Sequence, residues 1–244
     1  MNLILDLGNT RKKIALFDGG KLLLVENHPG ISRETIEQFI EGHPGITSCI
    51  MSSVVDHSTD LTDYLRRQLH FITLDEQTPI PIINRYESKG TLGKDRLAAA
   101  VAGAATFPGQ NVLVVNAGTA LTFDFVNARN EYLGGAISPG MAMRFSALNT
   151  FTDKLPLLSY REQVSLIGPD TDMSIISGVI NGVVAEIEGI SGKYREEYPG
   201  LKIILSGGDL NYFVKRLKIS IFALPNIVIY GLQQILSFNV NKVN

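Results

Sequence analysis

Apolar and polar positions along the chain fall into two successive runs of the same kind. From Asn2 to about Asn27, three short apolar stretches are separated by turn residues, first Gly8-Asn9 and then Asp18-Gly19-Gly20, which predicts three meandering strands. Ile31, Ile36, Phe39 and Ile40 then recur at helical spacing, with Ser32 as N-cap and Gly42 closing the run. Ser48 to Val55 reads as a strand, Leu61 to Leu69 as a helix and Phe71 to Leu74 as a strand. Thr78 to Thr91 is irregular, punctuated by Pro79, Pro81 and Gly90. It leads into an alanine-rich helix from Leu97 to Ala105, whose small side chains call for a close neighbour.

The second run repeats the first. Asn111 to Val126 is a strand, a Gly-Thr corner and a returning strand, and a third strand follows from Glu131 to Ile137. Helices are expected from Met141 to Phe151 and from about Met173 to Tyr198. A strand from Leu201 to Ser206, a helix from Leu210 to Leu217, a strand from Ile219 to Leu224 and a helix from Ile227 complete the run. Asp6-Leu7-Gly8-Asn9-Thr10 and Asn116-Ala117-Gly118-Thr119 therefore occupy equivalent places in two three-strand meanders, an internal duplication with little sequence identity. The expected fold is α/β, with two duplicated ribonuclease-H-like halves at 1–110 and 111–244, each a mixed five-stranded sheet with helices.

Candidate chemistry gathers at the corners. Backbone amides at such a turn form an anion cradle, and Asp6 is suited to hold a metal ion through water. Two corners facing one another would grip a polyphosphate from both sides. Gly93-Lys94-Asp95-Arg96 stands directly before the alanine-rich helix, where free N–H groups and the helix dipole favour the Asp95 carboxylate. Ser206-Gly207-Gly208-Asp209 opens a strand into a helix through paired glycines, which lets a flat ring or a phosphate lie against backbone. Gly90 to Asp95 fails the Walker A spacing, and there is no nucleophile elbow, kinase signature or dinucleotide fingerprint.

Composition narrows the partners. With 45% hydrophobic and 19% charged residues and a net charge of −2, the 244-residue chain has no basic footprint, so no nucleic-acid partner is expected. Its one cysteine, Cys49, cannot form an internal disulfide, and no signal-peptide pattern opens the chain, so cytoplasmic residence is expected. The longest apolar region, from Ser174 to Ile190, is interrupted by Asn181, Glu186 and Glu188, which fits a buried helix and no membrane span. Gly178, Gly182, Gly189 and Gly192 in that helix suit close helix packing, either inside one subunit or at a dimer seam.

Taken in order, several motifs resemble the type III pantothenate kinases of the acetate and sugar kinase, heat-shock protein and actin superfamily, the actin-like ATPases. They are Asp6-x-Gly8-Asn9-Thr10 with Lys13, Ser52-Ser53-Val54-Val55, Gly93-x-Asp95-Arg96, Gly118-Thr119-Ala120-x-Thr122-x-Asp124, Gly134-Gly135-x-Ile137-x-Pro139-Gly140, Leu155-Pro156, Gly168-x-x-Thr171 and Gly207-Gly208. The resemblance implies phosphorylation of pantothenate by ATP, the first step of coenzyme A synthesis. It further implies Mg²⁺, a monovalent cation (K⁺ or NH₄⁺), and a homodimer with its active site at the subunit interface. By the same resemblance Asp6, Gly8, Asn9, Thr10 and Lys13 would hold the ATP phosphates, with Asp6 also at the metal, and Gly118 and Thr119 would form the second phosphate corner. Gly207 and Gly208 would lie by the adenosine, and Asp95 would receive the proton of the acceptor hydroxyl. Tyr86, Gly93, Lys94 and Arg96 would line the pantothenate pocket, which Thr171 would reach from the partner. Competing readings are a kinase for sugars or other small alcohols, against which Gly93-x-Asp95-Arg96 speaks, and a catalytically weak nucleotide-binding regulator, against which Asp6 and Asp95 speak.

Two positions depart from the resemblance. The family usually carries Asp where this chain has Asn116, and Asn-Pro where the loop here reads Tyr86-Glu87-Ser88-Lys89. Asn116 keeps a carbonyl oxygen for a cation but has lost the charge that would neutralise it. Asn116→Asp is accordingly expected to strengthen activation by potassium, and an unchanged potassium titration of the variant would reject that expectation.

Overall fold

The computed structural model describes residues 1–8, 12–53 and 59–243, with 242 and 243 described by backbone alone. The expected Val54, Val55, Asn9 and Thr10 positions lie outside them. The described chain forms two compact units, Met1–Thr106 with the C-terminal residues from Ile227, and Phe107–Asn226.

In the first unit, β1 (Asn2–Leu7), β2 (Lys12–Asp18) and β3 (Lys21–His28) form the expected meander. Gly19 and Gly20 turn β2 into β3 with φ of +52° and +82°, the left-handed pair that a two-residue hairpin turn requires. Next come α1 (Arg33–Gly42), capped as expected by Ser32, then β4 (Ser48–Ser53), α2 (Thr59–Gln68) and β5 (His70–Thr73). A two-residue strand β6 (Ile83–Asn84) and a 3₁₀ turn at Lys89–Thr91 lead to α3 (Lys94–Thr106). The sheet order is β3-β2-β1-β4-β5, with β1 antiparallel to β2 and parallel to β4. Leu3, Leu5, Leu7, Ile14, Leu16, Cys49 and Met51 point to one face, where Ile36, Phe39, Leu61 and Leu65 of α1 and α2 cover them.

The second unit repeats that order. β7 (Val112–Ala117), β8 (Ala120–Val126) and β9 (Glu131–Pro139) meander, and then come α4 (Met141–Thr150), α5 (Thr171–Glu197), β10 (Lys202–Ser206), α6 (Leu210–Val214) and β11 (Phe222–Ala223). Its five strands run β9-β8-β7-β10-β11, antiparallel through the meander and parallel beyond β7. The mixed strand order of the two halves matches the expected duplicated architecture. Elements α6 and β11 are shorter than the apolar pattern suggested. In α5, Ile175, Ile176, Val179, Ile180, Val183 and Ile187 join the buried core with Leu113, Val115, Phe123 and Leu205. By length and composition α5 could cross a membrane, but that apolar stripe is packed in the core of its own unit. Three of its glycines are not a seam within the subunit, since a Cβ at Gly178, Gly189 or Gly192 would meet nothing within 4 Å, whereas one at Gly182 would lie 4.0 Å from Arg144 Nη1.

The last helix, α7 (Ile227–Val243), follows β11 as α3 follows the first half, yet it is assigned by packing to the first unit. A sequence boundary at 110 gave α7 to the second half; contact with α3 places it otherwise. The reason is visible at Gly231, where an added Cβ would lie 1.8 Å from the carbonyl oxygen of Ala98. Backbone meets backbone there, which is the close neighbour that the run of alanines demanded. Gly231→Ala should therefore lower unfolding stability by about 2–4 kcal/mol, whereas Gly192→Ala, with open space at its Cβ, should be neutral or stabilising. Denaturant titration of both variants checks this, and equal midpoints would contradict it.

Candidate functional site

Alternation along β1 sends Leu5 and Leu7 into the core and leaves Asp6 on the opposite face. Strand register then gives Asp6 two neighbours on that face, Lys13 of β2 and Ser52 of β4. Directly paired residues hold their Cβ atoms about 4.5–5.5 Å apart, so the three form one polar row at the end of β1. The Asp6 carboxyl is pushed up to about 6, chiefly because burial penalises its charge; the Lys13 ammonium works against the rise and the Asp95 carboxylate adds to it.

Asp95 arrives from α3. Its Oδ1 accepts a hydrogen bond from the backbone N–H of Arg96 at 2.9 Å, and it stands in the first turn, where the helix dipole favours a carboxylate. The carboxylate folds back over Gly93: a Cβ there would come within 2.6 Å of Oδ1. Lys94 Nζ donates to the carbonyl oxygen of Ser53 at 3.5 Å, tying the start of α3 to the end of β4. Arg96 is buried, and its guanidinium carbon lies 5.7 Å from the centre of the Tyr86 ring. Burial distinguishes it from the solvated arginine that a helix start would ordinarily carry.

In the second unit the equivalent row is Asn116, flanked by Thr122 of β8 and Ser206 of β10. Past it the chain turns at Gly118, whose N–H donates to Ala120 O at 3.1 Å. Two glycines brace this corner. A Cβ at Gly140 would lie 2.1 Å from Gly118 O, and one at Gly207, where φ is +102°, would lie 2.0 Å from Ala117 O. Gly140 N–H donates to Thr119 O at 3.1 Å and Asp209 N–H to Ala117 O at 3.0 Å. The starts of α4 and α6 are thus bonded to one corner by backbone alone.

Of the residues singled out in the sequence, the first unit brings together Asp6 and Lys13 in one row, and Tyr86, Gly93, Lys94, Asp95 and Arg96 about the start of α3. The second unit brings together Asn116, Gly118, Thr119, Gly207 and, between Gly207 and Asp209, Gly208. Gly8 follows β1 directly. Thr171 stands apart at the start of α5, on the wall of a cavity of about 970 Å³ lined with Phe151, Leu155 and Ile175. Sequence reasoning did not select Ser52, Thr122 or Ser206 as site residues. Their equivalence depends on register; the sequence showed only that Ser52 and Thr122 fall within motifs of the resemblance and that Ser52 and Ser206 each end a strand.

No group of three or more His, Cys, Asp or Glu that could hold a metal exists among the described residues. The paired carboxylates Asp6 and Asp95 nonetheless fit a hard divalent ion that keeps most of its own water and shares phosphate oxygens. Such an ion would also offset the cost of burying the Asp6 charge, the chief cause of its rise, and the smaller repulsion from Asp95.

Comparison with known proteins follows the same line. The type III pantothenate kinase family matches residues 2–193. A type III pantothenate kinase of Phocaeicola vulgatus is 42% identical over 240 residues, covering 98% of this chain and 99% of that one. One from Christiangramia forsetii is 41% identical, covering 98% and 99%. Among solved structures, a Campylobacter jejuni protein named for a Baf family of transcriptional activators superposes with a TM-score of 0.60 at 23% identity, covering 98% of this chain and 99% of that one. A glucokinase from an Antarctic psychrotroph superposes with a TM-score of 0.52 at 12% identity, covering 97% and 98%. These last two likenesses concern the fold.

Burial of Asp6 has a measurable consequence. An Asp carboxyl ordinarily titrates near 3.8, so between about 4 and about 6 the folded chain holds a proton that the unfolded chain has released. Stability therefore falls as pH rises through that window, and the full cost is present above about 6. In metal-free buffer with EDTA, Asp6→Asn should be more stable than the parent at pH 8 by about 1–3 kcal/mol and should lose that advantage near pH 4. Denaturation curves at the two pH values test this. Parallel pH dependence in the two proteins would contradict it.

Proposed function

Since the chain belongs to the type III pantothenate kinase family, we propose that the cluster of Asp6, Lys13, Lys94 and Asp95 is where it phosphorylates pantothenate. Membership fixes the reaction: the chain transfers phosphate from ATP to pantothenate, in coenzyme A biosynthesis, with a divalent metal. The observation that carries the assignment of the site is the electrostatic proximity of Asp6 and Asp95, two carboxylates delivered by different elements beside two lysines.

Phosphoryl transfer is mostly alignment and charge neutralisation, so each residue has a limited task. Asp95 orients the acceptor hydroxyl and takes its proton as the bond to phosphorus forms. Lys13 and the amides about Gly8 neutralise phosphate oxygens. Mg²⁺, held by Asp6 largely through water, would supply charge neutralisation on the transferred group. Gly118 and Thr119 form a further phosphate corner, and Gly207 and Gly208 lie by the adenosine. Tyr86, Gly93, Lys94 and Arg96 line the acceptor pocket, Arg96 being the anionic acceptor's counter-charge.

Three finer features belong to the same reading. Asn116 would hold a monovalent cation, a role supported by the neutral oxygen donors Thr122 and Ser206 beside it in the strand register. The active unit is a homodimer, with Thr171 entering the partner's acceptor pocket. Its support is the exposed apolar surface at Phe151, Leu166 and Ile167, together with the open glycine positions of α5. The enzyme resides in the cytoplasm, in keeping with its buried free thiol at Cys49.

Asp95→Asn keeps the shape of the site and removes the proton acceptor. It should lower kcat for ADP release by about 10²–10⁴-fold while the KM for ATP stays within about threefold. A kcat within tenfold of the parent would remove Asp95 from this role.

A further inference from the structure

Gly140 presses on the Gly118-Thr119 corner, but it has no side chain with which to hold its own place. It is the N-cap of α4 and provides no side-chain cap. Before it, Pro139 ends β9 opposite Ala120 and has no N–H to donate to the ladder. The segment that braces the corner is therefore fixed from elsewhere in the unit.

Arg144 of α4 fixes it. Its Nε donates to Pro139 O at 2.9 Å and its Nη2 to Ser138 Oγ at 2.9 Å, while its backbone N–H closes the first helical turn on Gly140 O at 3.1 Å. One residue thus bonds to Ser138, Pro139 and Gly140 in succession. The guanidinium is aimed by Glu186 of α5, whose Oε2 accepts from the same Nη2. Both side chains are only 22% exposed, so the pair is partly shielded from the water that weakens surface ion pairs. Glu186 stands one helical turn after Gly182, the α5 glycine whose added Cβ would reach Arg144 Nη1. A glycine there leaves the guanidinium room to reach its carboxylate.

An ion pair that only fastened α4 to α5 would need neither bond to residues 138 and 139. Those bonds lie directly behind the corner. Gly140 N–H donates to Thr119 O at 3.1 Å, and a Cβ on Gly140 would lie 2.1 Å from Gly118 O. With no slack between the two segments, a shift of residues 138–140 is passed to the amides of the corner. A misplacement of about 1 Å in groups that align a reaction costs about 10²-fold in rate. We propose that Arg144 is a positioning residue for phosphoryl transfer: aimed by Glu186, it holds Ser138-Pro139-Gly140 against the Gly118-Thr119 corner and keeps that corner in shape for the phosphates of ATP. The inference rests on the kinase reading above and extends it to a residue that acts through the corner.

Arg144→Ala removes the strut. Arg144 lines the cavity of about 970 Å³, so a small guanidinium ion has a way into the space left behind. In the folded variant, verified by circular dichroism, the Kd for MgATP by calorimetry should rise about fivefold or more. kcat/KM for ATP should fall about tenfold or more, with the KM for pantothenate within about twofold. Added ethylguanidinium should restore part of both losses in a saturable manner and leave the parent unaffected. Glu186→Ala, which keeps Arg144 but no longer aims it, should act in the same direction. Glu186→Gln, which retains an oxygen for Nη2, should lose less than Glu186→Ala. Unchanged ATP affinity and kcat/KM in every folded variant, or losses shared equally by pantothenate without rescue by ethylguanidinium, would overturn the strut while leaving the kinase intact. Weakened and rescuable nucleotide binding in a chain without pantothenate turnover would keep the strut and overturn the kinase reading.

Discussion

A carboxylate on a strand whose other side chains are almost all buried is the constraint on which the rest of the first unit depends. Leu3, Leu5 and Leu7 anchor β1 against α1 and α2, so a one-residue slip would turn Asp6 into that apolar core and carry all three leucines out of it. Asp6 is thereby fixed opposite the core, between Lys13 and Ser52, although its own burial is unfavourable. The same sheet face receives α3 and α7, whose backbones touch at Gly231 and Ala98. Close packing of small residues in the helices is what sets the start of α3, and with it Asp95, at the end of β1 and β4. Hydrophobic burial fixes the frame, and the strained electrostatics of Asp6 is a local cost that the frame sustains.

Duplication of the frame has not preserved its charge. Asp6, Lys13 and Ser52 in one half correspond by register to Asn116, Thr122 and Ser206 in the other. One row holds a carboxylate and an ammonium, the other only neutral oxygens. The glycines also differ in use. In the second half Gly140 and Gly207 press onto the corner, where no side chain could fit, so the starts of α4 and α6 are tied to it by backbone. A corner made this way offers amides instead of side-chain charge, which suits contact with phosphate oxygens.

Much of this was legible in the sequence. Gly19-Gly20, Ser32 and the alternation of β1 act locally, so the meander and the first helix could be drawn before any coordinates. Asp95 and Gly93 were legible as a pair because the helix start and its dipole lie within four residues. What the sequence left out is non-local. The rows around Asp6 and Asn116 depend on pairing between strands 40 or more and 90 or so residues apart. The attachment of α7 to the first unit depends on one glycine meeting one carbonyl. The burial of Arg96 beside the Tyr86 ring is likewise a contact between segments that local sequence does not show. The glycines of α5 suggested two packings, and only the empty space around Gly178, Gly189 and Gly192 discards, for those three, the one inside the subunit.

The most direct measurement is an acceptor comparison: ADP release from ATP with Mg²⁺ and potassium, using pantothenate, a set of hexoses and several short alcohols in parallel. The account predicts turnover with pantothenate and none above background with the sugars and alcohols. Comparable turnover with a sugar, or nucleotide binding without turnover on any acceptor, would contradict it.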